Sequence, residues 1–225
     1  MNIEQFFRNC ELELNQLKIY EPDPFYVEYF LKRFLHNVNQ IREKIFEEAD
    51  QNFGLFCKEK ISQHVFYRKA IEKNDLKAID FSNWFSNKIE NEHIQVFSKF
   101  IHHLSQIEKN EKQFPEIKIM LRAKERYQKD INLPISITLN EKKIVSKNQL
   151  KIEINRQTPL FLELINQKRR KNQEPLIRQN QITASSFIDF DGEIEVAYAV
   201  ETYIPVIKRI YDESIEKIKE LTKWE

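Results

Sequence analysis

Along most of this chain apolar residues recur three or four apart, the period of helices with one buried face. Over 3–19 they fall at Ile3, Phe6, Phe7, Cys10, Leu14 and Leu17. Glu21-Pro22-Asp23-Pro24 ends that pattern, and Asp23 before Pro24 supplies a cap and first turn for the next. The clearest stripe runs from Phe25 to about Asn52, through Tyr26, Phe30, Phe34, Val38, Ile41, Ile45 and Ala49, with Gly54 placed to terminate it. Residues 55–73 read as a further helix or a less regular crossing segment. Asn74-Asp75 opens a helix through Ile79, Trp84, Phe85 and Ile89. Residues 92–112 continue with Val96, Phe97, Phe100, Ile101, Leu104 and Ile107 inward, until Pro115. Phe30, Phe34, Val38, Trp84, Phe97 and Phe100 are the expected core.

The second half reads differently. Residues 116–130 fit an amphipathic helix with Ile117, Met120, Leu121 and Tyr127 inward, and Lys118, Arg122, Arg126 and Lys129 on an adjacent strip. The period then falls to two. Ile135, Ile137 and Leu139 alternate with Ser136 and Thr138, and Leu150, Ile152 and Ile154 alternate with Lys151 and Glu153. That pattern predicts a β-hairpin inserted at 132–156. Thr158-Pro159 is placed to open a helix ending in Lys168-Arg169-Arg170-Lys171. A loop with a short strand at 182–190 follows, then a helix from Glu193 to the end, interrupted by Pro205. The predicted fold is mainly α, an antiparallel helical bundle with a small β-hairpin in the second half, forming one helical domain over 1–225.

Composition narrows the function classes. Only Gly54 and Gly192 are present, where ordinary usage of about 7% would give roughly sixteen glycines. Rossmann enzymes, P-loop NTPases, protein kinases and α/β-hydrolases need glycine-rich loops and are excluded together. Hydrophobic residues at 41% make the chain too apolar to be disordered. There is no apolar run near eighteen residues and no signal-peptide core, and Cys10 and Cys57 form no metal motif. A reduced, cytoplasmic protein without a membrane partner is expected. The histidines form no H-E-x-x-H, and His102 and His103 point about 100° apart on a helix. Asp189-Phe190-Asp191-Gly192-Glu193 lacks the third oxygen ligand and the distant Glu of a calcium loop, and reads as a turn capping the last helix. No catalytic residue, metal site or cofactor is expected.

Net charge is +1, but its distribution is uneven. Residues 118–181 hold fifteen Lys and Arg against six Asp and Glu, whereas 182–225 hold five against ten. The basic segment therefore suits an anionic partner, or the acidic segment beside it in the chain. Its candidate nucleic-acid contacts are Lys118, Arg122, Arg126, Lys129, Lys168, Arg169, Arg170 and Lys171.

Tyr29-Phe30-Leu31 in a long early helix, Phe81-Ser82-Asn83-Trp84-Phe85 opening the next pair, and a closing helix after Phe187-Ile188-Asp189-Phe190 together resemble the HEPN-like helical proteins. The resemblance covers about half the chain. It implies a helical fold and, in the catalytic members, metal-independent RNA cleavage through R-x(4–6)-H. That motif is missing here: Arg33 and His36 are too close, and Arg68 follows His64. No active-site residue is carried over. The expected function is a non-catalytic interaction module that engages a protein partner, itself, or RNA or DNA through 118–181. One alternative is a HEPN-like ribonuclease with a degenerate or relocated site, which an Arg and a His meeting in one polar groove would favour, and another is a small-molecule-sensing helical bundle.

Overall fold

A computed structural model of the chain describes residues 2–92, 95–123, 136–137 and 147–223. Five helices come first: α1 (Ile3–Tyr20), α2 (Pro24–Phe53), α3 (Gln63–Glu72), α4 (Leu76–Glu92) and α5 (Val96–Lys109). Strands β1 (Lys118–Ala123) and β2 (Ser136–Ile137) follow, then α6 (Lys147–Lys171). A 3-10 turn at Gln179–Gln181 leads into β3 (Ile182–Asp189), β4 (Glu193–Glu195) and α7 (Val196–Thr222). With seven helices and one small sheet among the described residues, the protein is mainly α, as its periodicity predicts.

Local chemistry sets the helix ends. The Asp23 carboxylate accepts from the Phe25 N–H at 3.1 Å, and that of Asp75 from the Ala78 N–H at 2.9 Å, filling donors that the first turns leave open. Gly54 follows α2 with φ +63°, a left-handed turn in which a Cβ is costly, and it lets the Leu55 N–H reach the Asp50 carbonyl at 3.1 Å.

Where the sequence reads as one domain over 1–225, the contacts gather into two compact units. The first comprises Met1–Asn15, Leu31–Phe114 and Tyr198–Glu225. Phe34, Val38 and Phe100 are fully buried in it, while Trp84 and Phe97 are half-buried. Its aromatic centre is Phe46, Phe66, Phe81 and Phe85, whose paired rings lie 4.9 to 6.4 Å apart, edge-on or tilted.

The second unit, Gln16–Phe30 and Pro115–Ala197, holds an antiparallel sheet of order β2-β1-β3-β4. Phe30, also expected in the core, is half-buried here. Four expectations are corrected in this unit. Residues 118–123, read as part of a helix, form the inner strand β1: Ile119, Leu121 and Ala123 face Leu150, Phe161, Ile165 and Ile177, and Met120 is buried on the other face. A strand buried on both faces shows a near-continuous apolar run, which mimics a short helical stripe.

The hairpin expected at 132–156 is also revised. Its first arm does supply β2, but β2 pairs with β1, Ile137 opposite Ile119, and 150–154 belongs to α6. Leu150 and Ile154 share the buried face with Phe161 and Ile165 while Ile152 is 65% exposed, so the helical period over twenty-five residues overrides a five-residue alternation. Pro159 therefore lies inside α6 rather than opening a helix, on its exposed side, and the Thr158 hydroxyl donates to the Ile154 carbonyl at 2.7 Å. Asp191-Gly192 turns between β3 and β4, Gly192 at φ +120°, instead of capping α7.

Candidate functional site

The six described residues among the eight cations proposed from sequence do not form one face. Arg126 and Lys129 lie outside the described residues. Lys118 and Arg122 sit on β1 rather than on a helical strip. Arg122 pairs with Glu195, each 14% exposed, and Lys118 lies 3.6 Å from the Asp189 carboxylate. Both partners belong to the acidic segment 182–225.

The cluster closing α6 divides in the same manner. Arg169 is 3% exposed, and its guanidinium donates to the Pro175 carbonyl and lies 3.4 Å from the Glu174 carboxylate. It therefore fastens the turn after α6. Asn166 assists by exchanging two hydrogen bonds with the Ile177 backbone, at 2.8 and 2.9 Å. Lys168, Arg170 and Lys171 are exposed and make no ion pair among the described residues. Ile152, Leu160 and Leu164 are exposed on the outer side of the same helix, at 52 to 65%. Cations and aliphatic side chains thus share a solvent-facing surface on α6.

Sequence reasoning missed a polar cleft in the first unit. A pocket of about 90 Å³ is lined by Arg42 and Phe46 of α2, Phe85 of α4, and His102 and Lys109 of α5. A wider pocket of about 390 Å³ shares Ser62, Gln63, Gln106 and Lys109 with it and adds His64 and Tyr67. The Ser62 hydroxyl caps α3 by accepting from the Val65 N–H at 3.3 Å, so the positive end of that helix opens here. Gln63 is held by the Ser86 hydroxyl at 2.6 Å, which in turn donates to the Ser82 carbonyl. Arg42 and His102 are sixty residues apart and share no motif; each merely follows a buried isoleucine, Ile41 or Ile101. Only the packing of α2 with α5 could have revealed the site.

Among the described residues, no group of three or more His, Cys, Asp or Glu is placed to hold a metal ion. No helix among them is long and apolar enough to cross a membrane. Against known proteins, no family model, no curated protein and no solved structure matches the chain.

Proposed function

We propose that this chain is a non-catalytic interaction module whose α6 outer face docks a protein partner with an acidic, partly apolar surface. One observation carries this reading: Lys168 and Lys171 stand exposed without an ion pair among the described residues, on the same side of α6 as exposed Leu160 and Leu164. Leu160, Leu164, Lys168 and Lys171 recur at helical spacing on one side of α6, and aliphatic side chains grouped with cations suit a contact in which burial gives affinity and charge gives register.

The test uses two double variants, Leu160→Asp with Leu164→Asp, and Lys168→Glu with Lys171→Glu. Their side chains face solvent, so both should keep the parent unfolding midpoint. Each should also lose the protein that co-purifies with the tagged full chain from its own cells. A partner retained equally by both would sink the proposal.

A second reading, a HEPN-like metal-independent ribonuclease, is favoured by one feature: Arg42 and His102 line the same pocket. It expects cleavage of single-stranded RNA that persists in EDTA and disappears in His102→Ala. RNA left intact by the purified chain would remove it.

A further inference from the structure

The cleft has a bias in charge that neither reading above requires. Arg42 donates through one Nη to the Tyr203 hydroxyl at 2.8 Å, which fixes its guanidinium, while its Nε–H is buried with no hydrogen-bond partner. A guanidinium N–H shut away from water and unbonded costs stability, and a ligand acceptor would recover that cost. Neither Arg42 nor Lys109, which lines the same pocket, makes an ion pair with another described residue. The carboxylate lining that pocket, Glu43, already takes Lys60 at 3.1 Å and the Gln40 amide at 3.2 Å. Beside these cations open the first turn of α3 and the imidazoles of His102 and His64. Beneath them lie the apolar side chains of Phe46, Phe85 and Ile89. Fixed donors above an apolar floor are the ordinary composition of a small-molecule site.

We infer that this cleft binds a small organic anion: a phosphate or carboxylate group held by the Arg42 Nε–H and Lys109, with the rest of the molecule extending past Gln63, Gln106 and Tyr67. The inner pocket has room for a head group and a few atoms, and the 390 Å³ outer pocket for the remainder. Bidentate recognition of oxyanions is what a pre-oriented guanidinium does well.

The test is an imidazole NMR titration of the full chain with inorganic phosphate in one arm and acetate in the other. Saturable shifts of His102 and His64, with His103 unmoved, are expected in at least one arm. Phosphate alone assigns a phosphate ester, acetate alone a carboxylate, and both assign either head group. Arg42→Gln should weaken the binding about tenfold or more, the loss of a charge-assisted hydrogen bond. Tyr203→Phe removes the hydroxyl that fixes the guanidinium but keeps its charge, and should weaken the binding by less than Arg42→Gln. Lys109→Gln changes an exposed, unpaired side chain and should weaken binding even where Arg42→Gln fails to fold. Absence of saturable shifts in both arms, or equal binding by Lys109→Gln and the parent chain, overturns the inference. Neither outcome depends on whether RNA is cleaved.

Discussion

Cys10 is fully buried, and its thiol is pushed up from an ordinary 9.0 to about 12, first by burial and then by the carboxylates of Glu13 and Glu11. The unfolded chain releases this proton near 9.0 while the folded chain retains it. Stability contributed by the neutral thiol is therefore complete below that pH and is lost as pH rises through the window from 9.0 to about 12. The slope reaches at most about 1.4 kcal/mol per pH unit for one thiol. Urea midpoints of the parent should fall more steeply across that window than those of Cys10→Ala; equal slopes would show that burial does not hold the proton. The same scale separates two phenylalanines that the stripe pattern treats alike. Phe34 is 0% exposed, and Phe34→Ala should cost about 3–5 kcal/mol. Phe97 is half-buried, edge-on to Tyr198 at 5.1 Å, and Phe97→Ala should cost clearly less in the same urea titration. Periodicity marks which side of a helix faces inward, but the depth of each side chain depends on what other helices lay over it.

Single elements show where local pattern and tertiary structure part company. Helices α1, α2, α4 and α5 were legible because each repeats its period over fourteen residues or more, with Asp23, Asp75 and Gly54 marking ends of α2 and α4, whereas the ten residues of α3 left 55–73 open between a helix and a crossing segment. The stretch 118–123 was not, because six residues of KIMLRA satisfy a helical and a doubly buried strand pattern equally. What selects the strand is β3, six residues of which register against it from Lys118 opposite Phe187 to Ala123 opposite Ile182. Nothing local to 118–123 announces that partner. The strand assignment changes the roles of its two cations. Arg122 and Glu195 are each 14% exposed, so Arg122→Ala leaves a carboxylate in a nearly dry site and should cost about 1–3 kcal/mol. Lys118 faces Asp189, which is 64% exposed, so Lys118→Ala should stay within about 0.5 kcal/mol. Thermal unfolding of the two variants compares them directly, and equal losses would contradict the pairing described for β1.

For the whole molecule the question is where the basic middle segment spends its charge. An excess of nine cations over 118–181 would, if gathered on one face, give a footprint for phosphates whose affinity falls steeply with salt. Folding instead turns Lys118 and Arg122 toward acids of 182–225 and places Arg169 against Glu174, leaving Lys168, Arg170 and Lys171 exposed at the end of α6. Three phosphate contacts from the end of α6 alone would give a shallow salt dependence and little affinity, since each contact contributes close to one unit of slope on B-DNA. That end of α6 should give no RNA or DNA affinity better than roughly millimolar in filter binding at about 100 mM salt, weaker than ordinary non-specific binding. Lowering the salt should expose weak binding that Arg170→Glu reduces without moving the unfolding midpoint, because Arg170 is solvent-facing. Charge reversal at Arg122 should act in the opposite sense, lowering stability while leaving that weak binding unchanged. Micromolar binding at about 100 mM salt, with a slope that flattens by close to one unit for each of Lys168, Arg170 and Lys171 removed, would instead make the end of α6 the edge of a nucleic-acid interface and displace the protein partner proposed for it.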